Sequence, residues 1–354
     1  MPQRPLRVLV VDDSAMNRRV LTDLLTQQNG VTVAGVAGDG DEALRLSASL
    51  APDLITLDLE MPRMDGFTFL RLLMATRPTP VVVVSSHSAK ENVFRALELG
   101  AIDFIAKPET LLTGQLDSVR EQLDRMVAIV RQLAPANLQP RRNVPSDPPP
   151  RVEPVKPAQT LQRVIVVGAS TGGPTALLEL FGRLPSDSNA CVIVAQHMPE
   201  RFTRAFADRL DRISSFSVME ADGLVQLAPG HGIVCPGGKC LELEIGADGP
   251  RVCVVEPTSA DRHAPSADRL FKSAAKVLGD KVLAVVLTGM GDDGAQGVVA
   301  VKQAKGRVIV ESEETAVIYG MPRSAKQTGY VDETLPLPQL IDRVARLASG
   351  ERSS

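Results

Sequence analysis

Val164-Ile165-Val166-Val167-Gly168-Ala169-Ser170-Thr171-Gly172-Gly173 is an apolar run that ends on a serine between glycines. A continuous Val/Ile run reads as a strand covered on both faces, the strand type of a parallel sheet packed between helices. G-x-S-x-G directly after such a strand reads as a tight strand-to-helix turn that exposes a serine hydroxyl. The glycines fit, because a tight turn wants residues without a Cβ and a substrate carbonyl must come close to backbone N–H groups. A phosphate-cradling turn or a plain N-cap serine would carry the same letters, so the turn alone does not choose.

Outward from this turn the pattern repeats. Cys191-Val192-Ile193-Val194-Ala195 runs into Gln196-His197-Met198-Pro199, and Val282-Leu283-Ala284-Val285-Val286-Leu287 runs into Thr288-Gly289-Met290-Gly291-Asp292-Asp293-Gly294. Serine, histidine and aspartate thus each follow the carboxyl end of their own strand, where open α/β sheets build their sites. An imidazole there can take the serine proton, while an aspartate fixes its tautomer and stabilises the imidazolium. Of the four histidines, His87, His231 and His263 lack strand-end placement, which leaves His197. Asp292 and Asp293 compete for the third role, and spacing does not choose between them. The order Ser…His…Asp also differs from the Ser…Asp…His order of α/β-hydrolases.

At 354 residues the chain is long enough for about two domains of ordinary size. Between Gln132 and Thr160 it collects Pro135, Pro140, Pro145, Pro148, Pro149, Pro150, Pro154 and Pro157 with almost no large apolar residues. Such a stretch cannot bury enough surface to order itself, so it reads as a linker between two α/β units, 1–131 and 161–354. The net charge of −3 and a pI of about 5.9 disfavour a nucleic-acid partner. Neither a leader nor an apolar run of about 18 residues stands out, so a cytoplasmic protein that is not membrane-embedded is expected. The four cysteines, Cys191, Cys235, Cys240 and Cys253, form no C-x-x-C pair, which fits reduced thiols. His231 with Cys235, Cys240 and Cys253 could in principle hold zinc. Pro236-Gly237-Gly238, however, looks like a hairpin turn that places Cys235 and Cys240 on facing strands as small apolar filler.

The first unit shows the same grammar with other residues. Leu6 to Val11 is a strand ending at Asp12-Asp13, and Ser14 then caps a helix to about Gln27. Leu54 to Leu57 ends at Asp58, Pro80 to Val84 at Ser85-Ser86, and Ala101 to Ala106 at Lys107-Pro108. Leu112, Leu116, Val119, Leu123, Met126 and Val130 form the apolar stripe of a closing helix, and five αβ repeats are visible. Asp12, Asp13 and Asp58 would gather three carboxylates, a charge concentration that a hard divalent cation such as Mg²⁺ neutralises. With Lys107 and the Ser85 hydroxyl at the same spot, the set suits an aspartate that attacks a phosphoryl group.

Val10-Val11-Asp12-Asp13-Ser14, Leu57 to Gly66 and Ile105-Ala106-Lys107-Pro108 resemble the receiver domain of two-component response regulators. That resemblance implies a flavodoxin-like fold with Asp58 as phosphoacceptor. It further implies Mg²⁺ held by Asp12, Asp13, Asp58 and the carbonyl of Glu60, Lys107 paired with the phosphate, Ser85 as the switch hydroxyl, and a cis Lys107–Pro108 bond.

Gly168 to Pro174, Gln196 to Pro199, Arg262 to Asp268 and Leu287 to Gly294 resemble the chemotaxis protein-glutamate methylesterases, in which a receiver precedes the esterase across a linker. The resemblance implies a second, Rossmann-like doubly wound domain. By the same resemblance Asp293 is the triad acid beside Ser170 and His197, the backbone N–H groups of Thr171 and Met290 are oxyanion donors, and the esterase reaction needs no cofactor. The implied activity is hydrolysis of glutamyl methyl esters on methyl-accepting chemotaxis receptors, with deamidation of receptor glutamines in some members. The implied phosphodonor is the chemotaxis histidine kinase, and a monomer is expected. Tyr319 to Arg323 also matches a segment of that family, with no chemistry assigned. Two other readings stay open: a receiver-controlled hydrolase of a different ester, or a nucleotide-binding output domain. The second would want a lysine after the glycines, which Pro174-Thr175-Ala176-Leu177 does not supply.

Overall fold

The apolar runs of the first unit become the inner strands of one parallel sheet. The computed structural model describes residues 4–85, 90–107, 116–133 and 161–350, and the chain divides into two compact units, Met1–Arg142 and Asn143–Ser354. In the first, β1 (Leu6–Val11), β2 (Val31–Ala37), β3 (Leu54–Leu57), β4 (Val81–Ser85) and β5 (Asp103–Ala106) alternate with α1 (Ala15–Thr26), α2 (Gly40–Leu50), α3 (Gly66–Thr76), α4 (Lys90–Glu98) and α5 (Leu116–Val130). The sheet order is β2-β1-β3-β4-β5, parallel throughout. Every residue of β3 and β4 is buried, which is why they read as unbroken runs rather than alternating ones. The edge strand β2 has a partly exposed centre and a correspondingly weaker apolar signal.

Ser14 caps α1 by accepting from Asn17 N. The ladders set Val11 beside Leu57, Leu57 beside Val83 and Ser85 beside Ala106. Asp12, Asp58 and Lys107 therefore leave the sheet at the same end as Ser85, around the point where the strand order reverses. On α5, Val119, Leu123, Met126 and Val130 are buried as the stripe requires. Leu112, His87, Pro108 with its peptide bond, and the Pro-rich stretch from 134 to 160 lie outside the described residues.

The second unit is wound the same way around a longer sheet. It comprises β6 (Arg163–Ala169), α6 (Gly173–Phe181), β7 (Ala190–Gln196), α7 (Glu200–Ile213), β8 (Ser217–Glu220), β9 (Leu224–Gln226), β10 (His231–Val234), β11 (Cys240–Gly246), β12 (Gly249–Val255), α8 (Ala267–Leu278), β13 (Val282–Val286), α9 (Ala295–Gln303), β14 (Arg307–Glu311), α10 (Met321–Gln327), β15 (Glu333–Leu335) and α11 (Leu337–Ala348). Seven strands run parallel in the order β15-β14-β13-β6-β7-β10-β8. The order reverses between β6 and β13, so the turn after β6 sits at the switch point of the sheet. All nine residues of α6 are buried. The helix that starts at the serine turn is thus part of the core, and its N-terminus is a rigid platform.

Two features depart from the sequence reading. β11, β12 and β9 form a separate antiparallel sheet. β10 does not pair with β11 in a hairpin, because β7 and β8 already occupy both of its edges. Pro236-Gly237-Gly238 does turn the chain, with Lys239 N donating to Pro236 O at 3.2 Å, but it passes from one sheet to the other. Cys235 Sγ lies 3.6 Å from Pro236 O and 3.4 Å from Lys239 O. Among the described residues, the group close enough to share a metal ion is Asp12, Asp13 and Asp58, and the His231 and cysteine set does not assemble. Burial pushes the Cys191 thiol up to about 12, so it behaves as apolar filler.

Candidate active site

Backbone register brings the serine and the histidine side by side. Ala169 pairs with Gln196 at the ends of β6 and β7, and His197 N donates to Ala169 O at 2.9 Å, carrying the ladder one step further. Ser170 leaves β6 opposite His197. Gly172 follows with φ of 77°, a left-handed conformation that costs a side-chain-bearing residue about 1–2 kcal/mol, and α6 starts at the next residue. Ser170 and Thr171 are almost wholly buried.

Asp293 meets this pair from the loop after β13. Its Oδ2 lies 2.7 Å from His197 Nε2. The same carboxylate sits on the N-terminus of α8, accepting from Ala267 N at 2.7 Å, Asp268 N at 2.9 Å and Ser266 Oγ at 3.3 Å. Burial by itself pushes the Asp293 carboxyl up. The His197 hydrogen bond and charge, with the amides of Asp268 and Ala267, outweigh that and hold it below the usual aspartate range. Asp292 turns the other way: its exposed carboxylate pairs with Arg262 at 3.3 Å. Of the two adjacent aspartates, Asp293 is the one in contact with the imidazole. Neighbouring Asp268 is pushed up by burial, which Asp293 reinforces against the pull of Gly297 N.

Glycine at 289 lets the third loop close on the serine, since a Cβ there would stand 2.8 Å from Ser170 Cβ. Ser170 N donates to Thr288 O at 3.0 Å, and Thr288 Oγ1 donates to Thr171 O at 2.9 Å. Thr288 N is held in turn by Oε2 of the fully buried Glu311 at 2.9 Å. The unassigned segment around Tyr319 braces the same loop. Gly289 N donates to Ile318 O, while Gly320 N and Met321 N donate to Gly289 O, at 3.0, 3.1 and 2.8 Å. Of the two residues expected to supply oxyanion donors, Thr171 directly follows Ser170 and Met290 directly follows Gly289 in this loop.

Sequence reading left two neighbours of the triad without a role. The His263 ring stacks on His197 with centroids 4.5 Å apart and planes inclined by 23°. Ser266 caps α8 by accepting from Arg269 N and also reaches Asp293. The signal was present, because Ser266 precedes an apolar-periodic run, but its link to Asp293 is non-local. A cavity of about 430 Å³ beside the site is lined by Arg262, His263, Ser266, Asp268, Asp292 and Asp293 among others.

In the first unit Lys107 Nζ bridges two carboxylates, Asp12 Oδ2 at 2.7 Å and Asp58 Oδ2. Asp12 Oδ1 accepts from Ser14 N at 2.9 Å, and Asp58 Oδ1 from Glu60 N at 3.3 Å. Burial pushes the Asp58 carboxyl up, with Lys107 opposing and Asp12 adding to the rise. The Lys107 ammonium is held above its usual value, because Asp58 and Asp12 outweigh its burial. The ligand oxygens of Asp12, Asp13 and Asp58 lie within 4.8 Å of one another. An all-oxygen anionic set of this size fits a hard divalent cation.

The CheB methylesterase family profile matches residues 165–344, and the response regulator receiver domain profile matches residues 8–114. The chain belongs to the CheB methylesterase family. It is 52% identical to protein-glutamate methylesterase/protein-glutamine glutaminase 6 of Anaeromyxobacter dehalogenans, over 99% of this chain and 98% of that one. It is 47% identical to protein-glutamate methylesterase/protein-glutamine glutaminase 1 of Myxococcus xanthus, over 98% of each chain. Among solved structures, the CheB methylesterase catalytic domain of Thermotoga maritima is 36% identical with a TM-score of 0.51, covering 52% of this chain and 98% of that domain. The second unit is therefore a methylesterase domain and the first a receiver domain. Among the described residues no helix is long and apolar enough to cross a membrane.

Proposed function

We propose that this methylesterase removes methyl groups from γ-glutamyl esters on the cytoplasmic helices of chemotaxis receptors, under control of phosphorylation at Asp58. The observation that carries the chemistry is the convergence at one switch point of Ser170, His197 and an Asp293 bonded to His197 Nε2. Asp293 keeps the proton on Nε2, which leaves Nδ1 as the nitrogen that accepts the Ser170 proton. Ser170 Oγ attacks the ester carbonyl, and its proton passes to His197. The resulting oxyanion is held by the N–H groups of Thr171 and Met290. Collapse expels the methoxide oxygen, which leaves as methanol with the proton from His197. Water then attacks the acyl-enzyme while His197 takes its proton and returns it to Ser170, which releases glutamate. A receptor glutamine would follow the same route with ammonia as the leaving group.

In the receiver, Asp12, Asp13, Asp58 and the Glu60 carbonyl would hold Mg²⁺, which when bound neutralises charge on the transferring phosphoryl group. An Asp58 oxygen attacks phosphorus, Lys107 pairs with the transferred group, and Ser85 supplies the switch hydroxyl. The phosphodonor is the chemotaxis histidine kinase.

Methyl-labelled receptor membranes and a small chromogenic ester, given side by side to the full-length chain with Mg²⁺ and a small phosphodonor, test this reading. Fast methanol release from the receptors is expected, abolished by Ser170→Ala and by His197→Ala, with losses that do not add in the double variant. Near-normal turnover in either variant overturns the triad. Hydrolysis of the chromogenic ester without receptor demethylation overturns the substrate.

A further inference from the structure

Gln196 ends β7 and is 1% exposed, although nothing in the reaction above uses it. Its Nε2 donates to two backbone carbonyls at once, Ser170 O at 2.9 Å and His197 O at 3.0 Å. One side chain therefore clamps the backbone of the nucleophile to that of the base. Its Oε1, by contrast, is buried without a hydrogen-bond partner. A buried amide oxygen in that condition costs about 1–3 kcal/mol. An apolar side chain of the same size would fill the space without that cost, so the donor end of the amide is what the site retains.

The clamp acts on a particular peptide unit. Ser170 O also accepts from Gly173 N at 2.8 Å, so two donors hold this carbonyl. A trans peptide is planar, with its C=O and N–H on opposite edges. Pinning Ser170 O therefore fixes the direction of the Thr171 N–H, which belongs to the same peptide. If the peptide rotated, a carbonyl rather than an N–H would face the developing oxyanion, and preorganised donors are the source of such stabilisation.

We propose that Gln196 is a positioning residue of the esterase, which locks the Ser170–Thr171 peptide so that Thr171 N–H is aimed at the oxyanion and ties that peptide to the backbone of His197. This rests on the assignment of Ser170, His197 and Thr171 above.

Gln196→Met keeps length and volume but removes both donors, and Gln196→Glu keeps the shape but leaves at most one donor, the O–H of the neutral acid, for two carbonyls. Each is made in the full-length chain, activated with a small phosphodonor and assayed on methyl-labelled receptor membranes. Active sites are counted by complete labelling with a serine-directed fluorophosphonate. Turnover per labelled site should fall about 10- to 100-fold, less than the ~10²–10³ lost with a direct oxyanion donor. KM should stay within about twofold, because ground-state binding is untouched. A packing role would move other quantities: fewer labelled sites and a lower melting temperature, with wild-type turnover at each site, and that result overturns the proposal. If Gln196→Met does not fold, the same comparison on Gln196→Glu decides. Ser170→Ala is run in parallel. Activity retained there sinks the triad itself, whereas an inactive Ser170→Ala beside wild-type turnover in Gln196→Met sinks the role of Gln196 alone.

Discussion

Asp293 accepts from His197 Nε2, two α8 amides and Ser266 Oγ, whereas the Asp292 carboxylate pairs outward with Arg262. The two carboxylates are adjacent in sequence, yet one faces the imidazole and the other an exposed arginine. Asp293→Asn keeps the shape but can favour the wrong imidazole tautomer, so kcat should drop by up to about 10⁴-fold. Asp292→Asn removes half of an exposed ion pair, worth about 0–1 kcal/mol, and should change turnover little. Steady-state rates of both variants on receptor membranes check this, and comparable losses would reverse the assignment. Spacing alone could not separate the pair. The choice depends on amides at Ala267 and Asp268, some 25 residues upstream, and on the rotation of a glycine-bounded loop. Ser170 and His197 were legible because each follows a continuous apolar run, Ser170 directly and His197 after Gln196, a local signal. Gln196, His263 and Glu311 were not, because their roles arise from partners brought together by the tertiary fold.

At the scale of elements, Asp293 is also the anion at the start of α8, so one carboxylate both orients the base and stabilises a helix terminus. Its folded-state pKa is depressed from the unfolded 3.8. A depressed acid contributes stability that is complete above the unfolded value and is lost as pH falls through the folded one. The gap in unfolding free energy between the native chain and Asp293→Asn should therefore narrow as pH drops below about 3.8. Denaturant unfolding across that range measures it, and a gap that widened on acidification would contradict the helix-terminus role. The elements most legible in the sequence were the buried parallel strands, whose Val and Ile runs need no alternation. The antiparallel sheet was missed for the opposite reason. β11 does alternate, Leu241-Glu242-Leu243-Glu244-Ile245, but β9 has three residues and β12 opens on Gly249-Pro250-Arg251 without alternation, so the partners that complete the sheet gave little period-2 signal. The expected hairpin at Pro236 to Gly238 failed because a turn specifies only a change of direction, while the pairing partners of β10 are set by β7 and β8.

At the scale of the whole molecule, the acidic cluster of Asp12, Asp13 and Asp58 and the site of Ser170, His197 and Asp293 belong to two separate compact units. The sequence between them carries eight prolines from Pro135 to Pro157. A Pro-rich tether, in general, holds the domains that it joins at high effective concentration. Regulation by occlusion, in which an unmodified receiver covers Ser170 and phosphorylation of Asp58 shifts it away, then has two consequences that differ in sign. Asp58→Asn should abolish stimulation by a small phosphodonor with Mg²⁺. Cleavage in the Pro-rich stretch should raise activity without any phosphodonor, because release from the tether removes the inhibitor rather than modifying it. The catalytic domain of the Thermotoga maritima relative was crystallised as a domain, which supports preparing residues 160–354 as a fragment. On the same receptor membranes, that fragment should be faster than the unphosphorylated full-length chain, and adding back the receiver at the same molar concentration should restore little of the inhibition. Equal rates for fragment and full-length chain would rule out occlusion while leaving the esterase chemistry of Ser170 and His197 intact.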